Sequence, residues 1–397
     1  MNIKEICNGV YYVGVNDMTT TRFEGLWSLP KGVSYNSYIV KGTESTALID
    51  TVAVGGITEF IENILRVADA PSYLIVNHME PDHSGGIPSI VARFPNIKIV
   101  ADKLAINMIK GFYHIDDDDR FIEVTDGSKL DLGGGKTLSF HTIPMVHWPE
   151  TMVTYLASEE VLFSGDAFGT FGVLNGTPDD DSLDFDFYEP EMRRYYAAIV
   201  GKYSPFVQKA LAKLQGIPVS YICDTHGPVW HRHAARVIEL YDKMSRQEQE
   251  NGVVIVYGSM YGNTQRMAFK FASLLSERGV KVARVFNASE TELSIILADV
   301  WRYKGLVVAS PTYSMDIFPV VESFIKALEI REIKNKVTAS LGSYAWAPRI
   351  AADKIEQRLS LLGLQTVGKV SMPMSPNKKT DDELTVLADE FAKAMKA

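Results

Sequence analysis

The sequence predicts two consecutive α/β domains, residues 1–250 and residues 251–397, the second a doubly wound parallel sheet. Three observations lead there. A chain of 397 residues is long for one hydrophobic core and comfortable for two. After the polar amphipathic stretch "AARVIELYDKMSRQEQE", which reads as a connector helix, apolar runs and helical patterns alternate regularly to the end. Before it, strand and helix signals are mixed, and His or Asp residues gather where β-rich runs end.

The first half opens with the short β-rich runs "GVYYVGV", "YNSYIVKG" and "STALIDTV", followed by the helical pattern "ITEFIENILRVA". A strand "YLIVN" leads into "HMEPDHSGG", and a helix is expected from about Ile87 to Phe94. Later strands are "LSFHTIPMV", "EEVLFSGD" and "VSYICDTHG". In the second half the strands are "VVIVYGS", "VKVARVF", "GLVVASP", "KVTASLG" and "GKVSMP". Helices fall between them, near Gln265–Arg278, Glu290–Ala298, Val320–Leu328 and Ile350–Leu362. The acidic start and amphipathic body of "DDELTVLADEFAKAMKA" make it the closing helix.

Composition narrows the partners. The net charge is −9, with acidic runs at Asp116 to Asp119 and Asp179 to Asp181, which argues against nucleic acid or anionic lipid. No apolar run approaches the roughly 18 residues of a membrane span, and "MNIKEICNGVYYVG" has no signal-peptide pattern. Cys7 and Cys223 are far apart, in no CxxC arrangement, so neither a disulfide framework nor a rubredoxin-type centre can be built from them. A reducing cytoplasm with two inert thiols is the expected setting.

Four candidate metal ligands, His78, Glu80, Asp82 and His83, stand within six residues directly after an apolar run. In an extended segment alternate side chains share a face, so His78, Glu80 and Asp82 can point one way and His83 another. Such a loop can give two ligands to one metal and two to a neighbour. Three further candidates end other strands: His147 in "MVHWP", Asp166 in "FSGDAFG" and His226 in "CDTHGPVW". Asp166 can bridge two ions, because a carboxylate has two oxygens with separate lone pairs. A lone His near a strand end is more often a hydrogen-bonded structural residue, and His114, His141, His231 and His233 are read so. Packing does not explain the set of seven.

In the second half, "YGSMYGNTQRMA" lies between the first strand and first helix. There Ser259, Met260, Tyr261, Gly262, Asn263 and Thr264 can wrap a phosphate with backbone N–H groups and hydroxyls at a helix N-terminus. The absence of GxxxxGK[ST] and GxGxxG argues against a nucleoside triphosphatase or a dinucleotide fold. Two more loops follow strand ends: Ser310, Pro311, Thr312 and Tyr313 in one, Gly342, Ser343, Tyr344, Ala345 and Trp346 in the other. Aromatic residues just past strand ends suit a ligand crevice better than a core.

"HxExDH" with separate His, Asp and His residues, "VHWP" and "THGPVW" resembles the flavodiiron proteins, and the resemblance covers essentially the whole chain. It implies an N-terminal metallo-β-lactamase-like αββα sandwich and a C-terminal flavodoxin-like sheet. The phosphate loop resembles the flavodoxin S/T-x-x-G-N-T loop and implies FMN. By position, the resemblance implies two iron ions: His78, Glu80 and His147 on one, Asp82, His83 and His226 on the other, Asp166 bridging. Tyr196 in "RRYYAA" matches a family tyrosine able to supply a hydrogen bond or proton, with Tyr195 structural. The implied activity is reduction of O2 to water, of NO to N2O, or both. Electrons would reach FMN from an external donor such as rubredoxin, a flavin reductase or reduced coenzyme F420. A head-to-tail homodimer, or a tetramer of two such dimers, would bring flavin and irons together.

Glu80 stands where hydrolytic members of this fold usually have a histidine. A carboxylate adds negative charge and a hard oxygen donor, which favours iron, most of all in its higher oxidation state. Two departures from the family bear on substrate: "FEG" with Glu24, and "GDAFGTF" with Phe171, where some members have histidines. Two other readings compete. One is a binuclear zinc hydrolase fused to a flavodoxin-like module, the other a non-enzymatic electron carrier in which the first half is scaffold.

Overall fold

The computed structural model describes residues 3–396; Met1, Asn2 and Ala397, at the ends of the expected domains, lie outside it. The chain divides into one compact unit ending at Ser245 and a second beginning at Arg246. The expected connector helix is Ala234–Ser245, and it is integral to the first unit, where Val237, Leu240, Tyr241 and Met244 are buried.

Two large sheets dominate the first unit, beside the two-stranded pairs Val15–Asp17 with Val33–Tyr35 and Arg22–Phe23 with Trp27–Ser28. A seven-stranded sheet has the order Lys4–Cys7, Val10–Tyr12, Tyr38–Lys41, Thr46–Ile49, Tyr73–Ile75, Lys98–Ala101, Phe121–Glu123. A five-stranded sheet has the order Lys129–Asp131, Thr137–Thr142, Met152–Leu156, Val161–Gly165, Tyr221–Asp224. Their facing sides share one core, in which Tyr38, Val40, Ile49 and Val100 meet Phe140, Leu156, Phe163 and Cys223. Alternation along a strand explains the layers. Phe163 points into that core, whereas its neighbour Leu162 lies with residues of the helices Ser204–Leu214 and Ala234–Ser245. Cys7 and Cys223 are unpaired, and burial pushes the Cys7 thiol up to about 12, as suits an inert residue.

One local expectation fails. After the strand Tyr73–Ile75 the ligand loop is not extended throughout, because Pro81–Ser84 forms a short helical turn. Proline is pre-organised for the first helical position, and its missing N–H removes a donor that would be unpaired there. Asp82 is thereby turned away from the face of His78 and Glu80.

The second unit is a parallel sheet in the order Val282–Asn287, Glu250–Tyr257, Tyr303–Tyr313, Val337–Tyr344, Gln365–Pro373. In chain order this is 2-1-3-4-5, the flavodoxin-like winding. The strand Tyr303–Tyr313 also makes a small antiparallel pair with Asp316–Ile317. Near-continuous apolar runs such as Val253 to Val256 are buried because helices cover both faces. Helices Asn263–Glu277 and Lys378–Lys396 supply Met267, Phe271, Leu275, Leu384, Leu387 and Phe391 to one core. Among the described residues no helix is long and apolar enough to cross a membrane.

Lys336, just before Val337–Tyr344, is buried, and its Nζ donates to the Tyr303 carbonyl at 2.6 Å. Burial holds its pKa well below that of a free lysine. The unfolded chain therefore binds a proton that the folded chain gives up, and stability rises with pH until the unfolded lysine also titrates, at about 10.4. Lys336→Met is expected to raise the unfolding temperature of the second unit at pH 7, with a smaller gain as pH approaches that of the free side chain. Thermal unfolding at both pH values measures the difference.

Candidate metal centre

Strand ends converge to build the cluster. Asn77 is held by Asp50, which accepts from the Asn77 backbone N–H at 2.7 Å and from its side-chain amide at 3.0 Å. Thr154 donates to the Asn77 amide oxygen at 2.7 Å, joining the ligand loop to the second sheet. Asp166 follows the strand Val161–Gly165, and His226 follows Tyr221–Asp224. After His226 the chain turns at Gly227, φ 101, where a Cβ would come 2.1 Å from Thr170. Only glycine fits that conformation and that approach.

The seven sequence-predicted residues form two adjoining groups, His78, Glu80, His147 and Asp166 in one, Asp82, His83 and His226 in the other. Within each group every residue offers a ligand atom within 4.8 Å of the others. Asp166 joins them. Its Oδ2 lies 3.0 Å from His147 Nε2 and 3.8 Å from His78 Nε2, while its Oδ1 lies 3.1 Å from His83 Nε2 and 3.4 Å from His226 Nε2. Glu80 Oε2 stands 3.1 Å from His147 Nε2, and Asp82 Oδ2 stands 3.1 Å from His226 Nε2.

Electrostatics bind the cluster into one unit. Burial alone would lower the His78 pKa, but the hydrogen bond to Glu150 and the nearby carboxylates of Glu80 and Asp166 outweigh it and hold it at about 10. Burial would raise Glu80, yet His147 and His78 hold it at about 2. Asp166 is held well below the usual carboxylate range by His83, His147 and His226 in spite of complete burial. Even so, His78 Nε2, Glu80 Oε2, both Asp82 oxygens, His83 Nε2 and His226 Nε2 are buried without a hydrogen-bond partner. Buried polar atoms without partners are costly, and a set of nitrogens and oxygens converging in this way fits a pair of cations.

The outer nitrogens have partners that sequence reading missed. Glu150, three residues after His147, accepts from His78 Nδ1 at 2.7 Å and from the Met79 N–H at 2.9 Å. His226 Nδ1 donates to the Ser34 carbonyl at 2.9 Å, and the Thr225 hydroxyl donates to Asp166 Oδ1. These bonds orient the imidazoles with Nε2 inward. The "HWPE" run held a signal for Glu150, but its partner His78 is 72 residues away in sequence.

Tyr196 is a correction. The helix Phe185–Tyr195 continues into a π-helical turn, Tyr196–Val200, and successive side chains on such a helix point in different directions. The Tyr196 hydroxyl hydrogen-bonds Ser204 at 2.9 Å, and its ring packs edge-on against Tyr241. Tyr195 faces the cluster instead. Its ring lies 5.8 Å from that of His226, and its buried hydroxyl has no partner. Burial, and then the negative charges of Asp166 and Glu80, push its pKa well above that of free tyrosine, so it stays protonated. The two departures in sequence also line this side: Phe171 packs on Tyr195 and Phe23, and the Glu24 carboxyl accepts from the Trp27 indole N–H at 3.1 Å. His141, His231 and His233 have partners of their own in Ser139, Asp181 and Asp180, and His114 caps a helix in the left-handed conformation.

In the second unit a cavity of about 240 Å³ opens at the C-terminal ends of the strands. It is lined by Ser259, Met260, Tyr261, Asn263, Thr264, Pro311, Thr312, Ser343, Tyr344, Ala345 and Trp346, together with the unforeseen Ser314, Met315, Ala347 and Met374. Gly262, Ser310, Tyr313 and Gly342 stand behind or beside it. Gly262 caps the helix Asn263–Glu277 at φ 86, Ser310 accepts from the Phe318 N–H, Tyr313 packs against Phe318, and Gly342 abuts Ala352. Ser259 Oγ accepts from the Gly262 N–H at 3.1 Å, and the first helical turn carries no acidic residue, as an anion site requires. Tyr261 and Trp346 are 90% and 87% exposed, so these rings are not core.

Comparison with known proteins agrees with this architecture. Residues 33–227 match the family described as ODP family beta lactamase, and residues 255–387 match flavodoxin. The chain is 34% identical over 395 residues to an anaerobic nitric oxide reductase flavorubredoxin of Vibrio vulnificus, covering 97% of this chain and 78% of that protein. It is 32% identical to the Escherichia coli protein of the same name, covering 97% of this chain and 80% of that one. Among solved structures, the rubredoxin oxygen:oxidoreductase of Desulfovibrio gigas superposes with a TM-score of 0.94 at 28% identity, over 100% of this chain and 99% of that one. The fold and cluster thus define a two-domain protein with a metallo-β-lactamase-like half and a flavodoxin half. The chain belongs to the flavodiiron family.

Glu150→Gln keeps the bond from the Met79 N–H but weakens the acceptor for His78 Nδ1. It is expected to lower metal affinity by about 10–100-fold, the usual effect of losing a partner of a ligating histidine. Competition with a chromophoric chelator measures this.

Proposed function

We infer that the chain is an oxidoreductase that reduces O2 to water, NO to N2O, or both, at a di-iron site supplied with electrons through FMN. The observation that carries this is the pair of buried donor groups sharing Asp166, with their inward atoms left without partners. In this reading His78, Glu80 and His147 hold one iron, Asp82, His83 and His226 the other, and Asp166 both. The hard carboxylate Glu80 in place of an imidazole favours iron over zinc. The cavity bounded by Ser259, Thr264, Ser343, Tyr344 and Trp346 would hold FMN, with Ser259 and the start of the helix Asn263–Glu277 offering donors to its phosphate.

When bound, FMN supplies electrons in ones or twos, and the iron pair supplies redox equivalents and Lewis acidity at one place. The protein supplies the rest. Glu150 and the Ser34 carbonyl fix the outer ring nitrogens of His78 and His226, so their inner nitrogens need not reorganise during turnover. Phe23, Tyr35 and Tyr195 pack around His226 and exclude bulk water. Tyr195 Oη carries a proton with no competing acceptor, at the edge of the site where reduction of either substrate consumes protons.

The electron donor is external in this reading: a rubredoxin, a flavin reductase or reduced coenzyme F420. The likeness to the rubredoxin oxygen:oxidoreductase of Desulfovibrio gigas supports the first. Exposed Tyr261, Trp346 and Met374 around the cavity of the second unit support a head-to-tail dimer or a tetramer of dimers, since such surface suits a partner. The unpaired cysteines accord with a cytoplasmic setting.

The full chain, loaded anaerobically with iron and FMN, is expected to consume O2, NO or both on electrode traces with one common donor. Isolation with about two zinc ions and no iron would sink this reading in favour of the binuclear hydrolase. Full iron and FMN loading without consumption of either gas would leave only an electron carrier. Tyr195→Phe is expected to lower kcat roughly 10²-fold with iron content unchanged, whereas Tyr196→Phe leaves kcat near the parent value.

A further inference from the structure

The ligand loop changes conformation halfway along. His78 and Glu80 stand on its irregular first part, and Asp82 and His83 on the helical turn Pro81–Ser84. A turn of four residues is far below the length at which a helix holds itself, so its neighbours must fix it. The Glu80 carbonyl accepts from the His83 and Ser84 N–H groups at 3.1 and 2.9 Å, which starts the turn at a ligand of the other donor group. The His83 carbonyl accepts from the Thr51 N–H at 3.0 Å and from the Thr51 hydroxyl at 2.7 Å. A further contact runs back along the loop: the buried Ser84 hydroxyl donates to the Met79 carbonyl at 2.9 Å.

Met79 lies between His78 and Glu80, and its N–H is already held by Glu150. Its backbone is thereby gripped on both sides, by Glu150 at the N–H and by Ser84 at the carbonyl. Ser84 thus ties the segment bearing His78 and Glu80 to the turn bearing Asp82 and His83. One more residue completes the tie. The Tyr113 hydroxyl, at the end of the helix Lys103–Tyr113, stands 2.7 Å from Ser84 Oγ. Ser84 has one hydroxyl proton and the Met79 carbonyl takes it, so Tyr113 is the donor of the pair. A hydroxyl that accepts a hydrogen bond becomes a better donor, so Tyr113 strengthens the bond from Ser84 to Met79.

We propose that Tyr113, acting through Ser84, is a positioning residue that fixes how Asp82 and His83 lie against His78 and Glu80. Without its hydroxyl the turn is freer to tilt, and the donors of Asp82, His83 and His226 converge less well on one point. This inference rests on the binuclear reading above, but not on the identity of the metal or on turnover.

The test is an anaerobic titration of the metal-depleted full chain with Mn2+, followed by electron paramagnetic resonance. Two ions sharing the Asp166 carboxylate are expected to give a spin-coupled signal in the parent. Tyr113→Phe removes one hydroxyl and keeps the ring. It should weaken the ion held by Asp82, His83 and His226 about tenfold, alter the coupled signal and leave the other ion at parent affinity. Ser84→Ala should do the same to at least that extent. The double variant should be no worse than Ser84→Ala alone, because Tyr113 acts through Ser84. Losses that add in the double variant would overturn the proposal, as would a Tyr113→Phe titration and spectrum superimposable on the parent's. A purely structural hydroxyl would lower the unfolding temperature of the metal-depleted chain and leave the coupled signal unchanged; that result also overturns it. A parent that takes up a single Mn2+ defeats the binuclear reading and this inference together. Isolation with zinc in place of iron defeats the proposed function alone, while the manganese titration still decides the role of Tyr113.

Discussion

The seven-residue cluster is arranged around the Asp166 carboxylate, whose two oxygens face different pairs of imidazoles. Oδ2 meets His147 and His78, and Oδ1 meets His83 and His226. That single side chain sets the spacing between the two donor groups and ties the end of one strand to three other segments. Its position depends on backbone that admits little variation. Gly165 precedes it at φ 57, the neighbouring Gly227 has no room for a Cβ, and the Thr225 hydroxyl donates to its Oδ1. A charge so deeply buried is tolerable only because four imidazoles surround it. Displacing Asp166 would therefore disturb both donor groups together.

Much of this was legible in sequence because strand ends and ligand residues coincide. "YLIVN" before His78, "FSG" before Asp166 and "YICDT" before His226 each place a donor just past a buried strand. Layered sheets present side chains for chemistry at such positions. The second sheet was equally legible, since its strands and helices alternate with a regular period and its winding leaves the loops at one edge. What escaped was orientation within short segments. Whether Tyr195 or Tyr196 faces the metals depends on a π-helical turn, which no periodicity announces. Whether Asp82 shares a face with Glu80 depends on the helical turn started by Pro81. Glu150 escaped for a different reason: its carboxylate stands close to His147 in sequence, but its partner His78 is 72 residues away, so the pairing of the two loops is not a local signal.

The shell around the metals differs in kind from the ligands. It is mainly aromatic: Phe23, Tyr35, Phe171 and Tyr195 pack on His226 or on one another, and Trp148 lies 5.4 Å from His78 by ring centres. Edge-to-face packing of this kind fills space rigidly and keeps the local dielectric low, which strengthens every interaction among the charged groups inside. It also leaves few neighbours that can hydrogen-bond to the donors, so the orphaned nitrogens and oxygens have little alternative to a cation.

In the second unit, Trp346 stands at the rim of the cavity, 87% exposed, while Trp27, Trp230 and Trp301 are buried. An indole at that rim lies within stacking reach of any flat conjugated ring seated there. Its fluorescence would then be quenched on occupancy, while the buried tryptophans would go on emitting as before. The chain thus carries a built-in optical gauge of how full that cavity is, readable without any added label.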